Sequence, residues 1–140
     1  MKWGIAYYEA TNGSVPAVEF LSSCPNKVTA NLFAVLEAVR AAPPPAFSGG
    51  GKWEAMHGTM AGYYEIRGTG PGRLHYRLFC RLENRTPDEL KALGFDCPQI
   101  VVINGMVKKN ASLFTDREYK KHVRDLGDDY LSRSPRPVAQ

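Results

Sequence analysis

Residues 63 to 83 constrain the chain more than any other stretch. From Leu74 to Glu83 the residues alternate, with Leu74, Tyr76, Leu78, Cys80 and Leu82 on one side. His75, Arg77, Phe79, Arg81 and Glu83 fall on the other. A period of two is that of a β-strand. The preceding run repeats it, with Tyr64 and Ile66 inward and Tyr63, Glu65 and Arg67 outward. Gly68-Thr69-Gly70-Pro71-Gly72 is turn-forming, so the pattern predicts a hairpin. One face seeks a core. The other reads as an open platform of arginines and aromatics, chemistry suited to a phosphate backbone and its bases.

The flanking sequence supplies the core. Lys2 to Glu9 alternates and is expected to be a strand. Ser14 is placed to cap a short helix with Pro16 in its first turn, running to about Leu21. A second helix is expected from Asn26 to Arg40, with Val28, Leu32, Val35, Leu36 and Val39 as its apolar stripe. Prolines 43–45 end it, and residues 43–51 form a Pro/Gly loop too short for a domain linker. After the hairpin, one helical turn is expected near Pro87–Lys91. Ile100–Ile103 reads as a central strand buried on both faces and ending at Asn104-Gly105. A loop from Met106 to Phe114 follows, then a capping box, Thr115-Asp116-Arg117-Glu118. The last helix has Tyr119, Val123, Leu126 and Tyr130 as its stripe. The expected fold is α+β in the order β-α-α-β-β-β-α, with an antiparallel sheet made from the last three strands. Residues 1–131 read as one domain and 132–140 as a disordered tail.

Charge is unevenly spread. Residues 1–60 carry four basic and four acidic side chains, residues 61–85 five Arg against two Glu, and residues 108–140 eight basic against five acidic. Basic charge on the hairpin and the C-terminal third fits a polyanion or an acidic protein partner. Cys24, Cys80 and Cys97 give neither a disulfide framework nor a metal-binding pair. No apolar run is long enough to span a membrane, and the N-terminus lacks a signal-peptide core, so a cytoplasmic location is expected.

Three local patterns, in this order, resemble the RelE/ParE toxin superfamily and its HigB-like, phage-derived branch. They are Tyr64-Glu65-Ile66-Arg67, then Tyr76-Arg77-Leu78-Phe79, then the apolar strand from Ile100 followed by Lys108-Lys109. The similarity covers roughly residues 2 to 131. It implies a RelE-like fold and a toxin that cleaves mRNA, usually on the ribosome. It also implies inhibition by a cognate antitoxin, of helix-turn-helix type in the HigB branch. Many such toxins carry a Tyr shortly after the basic loop, where this chain has Ser112-Leu113-Phe114.

RNA can be cut without metal when its 2′-OH attacks the adjacent phosphate. That needs a base, cations for the phosphorane and an acid for the leaving oxygen. The candidates are Arg77 first, then Arg67, both outward on the hairpin. Lys108 or Lys109 follows, whichever the strand register turns to that face. His57 and His75 are the candidate bases. Tyr63 and Phe79 are candidates to stack bases, the commoner alternative being packing beneath a loop or the last helix, with Arg81 and Lys52 as further RNA contacts. No metal ligands or cofactor are expected. The opposing reading pairs Arg77 with Glu65 across the hairpin, and Arg67 with Glu65, Glu54 or Glu83. Two other functions stay open: a ParE-like gyrase-binding toxin, and a phage-derived relative that binds RNA or protein without chemistry.

Overall fold

The structure, a computed structural model, describes residues 3–43, 51–110 and 114–139. Its elements are β1 (Gly4–Tyr7), α1 (Pro16–Ser23), α2 (Asn26–Ala41), β2 (Trp53–Ala55), β3 (Tyr63–Gly70), β4 (Leu74–Glu83), α3 (Pro87–Ala92) and β5 (Gln99–Lys109). The last helix runs as three consecutive segments: α4 (Asp116–Tyr119), a π-helical stretch (Lys120–Arg124) and α5 (Asp125–Ser132). The five strands form one sheet in the order β1-β5-β4-β3-β2. All neighbours are antiparallel except β1 and β5. The fold class is therefore mixed α+β, as expected, with one short strand, β2, added at the sheet edge.

Alternation in the hairpin sorts the side chains between two cores. Ile66, Tyr76, Leu78 and Cys80 pack with Leu21, Val28, Leu32, Leu36 and Val39 of the first two helices. Gly68 and Gly70 let α2 come close: a Cβ on either would meet Val28. Tyr63, Phe79, Val101, Ile103 and Met106 pack instead with Phe114, Val123 and Tyr130 on the other side. The sheet is thus covered on both faces, so the open platform expected from the alternation is corrected. Phe79 is 0% exposed and lies edge-on to Phe114 and Tyr119. Burying a ring of that size stabilises the fold by about 1.5–3 kcal/mol.

Four local expectations change. Ser14 does not cap α1: Val15 is the N-cap, without a side-chain bond, and Pro16 is the first helical residue. β3 runs on to Gly70, so the turn is only Pro71–Arg73, with Gly72 and Arg73 at φ 71° and 60°. β5 does not end at Asn104-Gly105. It continues to Lys109, lies between β1 and β4, and leaves the middle of the sheet to β4. The tail from Ser132 is ordered where it is described. Glu9 and Ala139 amides donate to the carbonyls of Pro137 and Tyr7, and Val138 bridges Tyr8. Arg136 is clamped on the buried carboxylate of Glu83 at 2.9 Å. The Pro/Gly loop at 44–50 and Ser112-Leu113 lie outside the described residues.

The bulge in β5 decides what faces the last helix. Phe79 is opposite Asn104 but Cys80 is opposite Val102, so Ile103 is the extra residue. Val101 and Ile103 face the last helix, and so does Asn104, whose Nδ2 donates to the His122 carbonyl at 3.0 Å. The alternation is thereby reset. Met106 and Lys108 join the face of Arg77 and His75, and Lys109 turns to the opposite one.

Candidate functional site

Strand register arranges the polar residues on the last-helix face in rows. Thr69, His75 and Lys108 are cross-strand partners in one row. Arg67, Arg77 and Met106 form the next, and Glu54, Glu65, Phe79 and Asn104 the one after. Successive rows are about 7 Å apart, two residues along a strand. Tyr119 of the last helix and Phe114 just before it cover the Phe79 row.

The two arginines have different partners. Arg67 bonds Glu65 at 2.8 Å and Glu54 at 3.1 Å. Those contacts, the Glu65 hydrogen bond above all, hold its pKa above the ordinary value. Arg77 is 7% exposed. Its Nη1 donates to the Tyr76 carbonyl at 3.0 Å and to the Gly68 carbonyl at 3.5 Å. Among the described residues it forms no ion pair. Burial lowers its pKa, against the opposing pull of Glu65, but a guanidinium stays charged at neutral pH. A buried cation without a carboxylate partner, and with N–H donors left over, is suited to an anion.

Arg77 opens into a cleft of about 410 Å³ at the β3 edge, beyond the end of β2. Asn31 and Val35 of α2, Gly51, Lys52, Arg67, Gly68 and Thr69 complete its lining. Lys52 is fixed at the rim because its carbonyl accepts the Arg67 amide at 3.1 Å. Among the described residues, Lys52, Arg67 and Arg77 are balanced here only by Glu54 and Glu65, both paired with Arg67, which leaves one net positive charge.

The remaining candidates divide. Lys108 shares the Arg77 face, but its Nζ is 2.9 Å from Glu118 and 5.7 Å from the Phe114 ring. The backbone of Thr115 and then Lys108 pull the Glu118 carboxyl down to about 2. His75 lies one row from Arg77. His57 is exposed and precedes the turn Gly58–Met60, beyond the Tyr63 end of β3. That end is about 13 Å along the strand from Arg67, so His57 is not gathered with the arginines. Tyr63 is 3% exposed beneath Arg81, whose guanidinium carbon is 4.7 Å from the ring centroid. A Cβ at Gly127 would collide with the Tyr63 hydroxyl. Neither Tyr63 nor Phe79 offers a free ring face, which corrects their expected role in stacking bases.

Two residues join the site that the sequence pattern hid. Tyr119 was legible only as part of the apolar stripe, yet its phenol lies within electrostatic reach of Glu65, Arg77 and Arg67. Burial, then Glu65, raises its pKa. Asn31 lies on the exposed side of α2, and nothing in a helical period marks a polar residue there as a cleft wall.

Among the described residues no cluster of His, Cys, Asp or Glu could hold a metal, and no helix is long and apolar enough to cross a membrane. Comparison with protein-family models, curated proteins and solved structures finds no match to this chain.

Proposed function

We propose that this chain is a RelE/HigB-like toxin that cleaves mRNA without metal, with Arg77 as the cation on the scissile phosphate. One observation carries the reading: a nearly buried arginine, unpaired by any described carboxylate, at the floor of a basic cleft. Two helices between β1 and an antiparallel β2-β3-β4 meander, with β5 returning beside β1, are consistent with the proposed RelE-like topology.

In the proposed reaction His75 takes the proton of the 2′-OH. The 2′-oxygen bonds to phosphorus, and the P–O5′ bond breaks to leave a 2′,3′-cyclic phosphate. Lys108 returns a proton to the 5′-oxygen. Arg77 neutralises charge on the non-bridging oxygens as the phosphorane forms. Arg67, already committed to Glu65 and Glu54, holds the cleft wall. Such a toxin works in the cytoplasm, on free or ribosome-bound mRNA, and is kept inactive by an antitoxin.

The test is expression with and without Arg77→Ala, followed by mapping of mRNA ends. New cyclic-phosphate ends with the parent chain, and none with the variant, are expected. Growth arrest with intact mRNA sinks the nuclease, and an accompanying DNA-damage response points to gyrase. Burial of Tyr63 and Phe79 favours the third reading, a non-catalytic binder, which predicts neither arrest nor cleavage.

A further inference from the structure

The cleft that ends at Arg77 does not lie wholly on the sheet face. It extends to α2, where Asn31 and Val35 form its wall. We infer that this wall is a nucleotide subsite: the phosphate sits on Arg77 and Lys52, and Asn31 reads the edge of the attached base in single-stranded RNA. The volume of about 410 Å³ is that of a small-ligand cleft. Val35, buried in the α2 stripe, offers an apolar floor for a base. Gly51 carries no side chain and the space beside it is open, so a ligand can approach the backbone there. Asn31 presents a donor and an acceptor together, the pairing that a base edge requires, and Thr69 adds a hydroxyl. A simple anion site needs only the cations. An amide, a hydroxyl and an apolar floor beside them fit a phosphate that carries a base.

This rests on the phosphate reading of Arg77 and adds to it the part of the site that tells nucleotides apart. Asn31 is on the exposed side of α2, and Ala is the better helix former, so Asn31→Ala folds. The experiment is an NMR titration of the full chain and of Asn31→Ala with each of the four nucleoside 3′-monophosphates and with inorganic phosphate. The parent should bind at least one nucleotide more tightly than phosphate, with the Asn31, Gly51 and Thr69 amides shifting. Asn31→Ala should lose about fivefold or more for that nucleotide, the usual worth of a hydrogen bond, and nothing for phosphate. Equal affinity for nucleotides and phosphate, indifferent to Asn31, overturns the subsite. So does failure of both to bind. Nucleotide binding that depends on Asn31, with mRNA left intact in cells, keeps the subsite and removes the nuclease. Cleavage by a chain whose nucleotide binding ignores Asn31 does the reverse.

Discussion

Arg67 and Arg77 are opposite each other on the hairpin and look equivalent in the sequence, yet their surroundings give them different work. Glu65 points one way only, and it takes Arg67. Which arginine a carboxylate will choose depends on side-chain torsions that a period of two does not encode. The same contrast applies to Glu83, expected on an open face and found 3% exposed. Burial alone would raise its pKa, but hydrogen bonds from Arg136, Tyr130 and Arg85 outweigh that and hold it below the ordinary carboxylate range. A depressed folded-state value means the ionised carboxylate stabilises the fold at neutral pH. That contribution fades as acid protonates it. Glu83→Gln should cost about 3–5 kcal/mol at pH 7, the usual loss when a buried ion pair is broken. In urea unfolding the gap between parent and variant should narrow below about pH 4. A gap that ignores pH would contradict the pairing.

The capping box at Thr115 was readable in the linear chain because its two partners are three residues apart, whereas Ser14 alone misled. The Thr115 hydroxyl accepts the Glu118 amide at 3.1 Å, and Glu118 accepts the Thr115 amide at 2.8 Å. Glu118 also holds Lys108, so the cap ties α4 to the end of β5. Thr115→Ala should lose about 1 kcal/mol in thermal unfolding, with faster amide exchange in α4 and none of that change in β4. An unchanged melting curve would show that the cap does not anchor the helix. The end of β5 was not readable. Asn-Gly usually turns a chain, but here Gly105 stays in the strand, where a side chain would collide with the Phe20 ring of α1. The bulge at Ile103 was equally silent, because an unbroken apolar run has no alternation to interrupt. That bulge, rather than any property of the lysines, selects Lys108 over Lys109 for the Arg77 face.

Across the molecule, the order of elements followed from turn residues and periodicity, and the closure of the fold did not. The last helix was expected to close the domain, and packing over the hairpin aromatics was an alternative to an open platform that periodicity alone could not decide. The tail was expected to hang free. Instead Arg136 is 9% exposed in its side chain and paired with Glu83. Long-range pairs of that kind, 53 residues apart, leave no local pattern. Among the described residues the β3 edge beyond β2 stays uncovered, and Arg77 and Lys52 both line the cleft there. In the proposed function Arg77, unpaired by any described carboxylate, binds phosphate. A buried unpaired charge costs stability, so Arg77→Met should keep or raise the melting temperature. The most direct test is binding of a 2′-O-methyl RNA oligomer, which cannot be cut, to Arg77→Met and Arg67→Met. Arg77→Met should lose about tenfold or more in affinity without loss of thermal stability, and Arg67→Met should show a lower melting temperature with affinity nearly kept. Parental affinity in Arg77→Met together with a lower melting temperature would contradict the account.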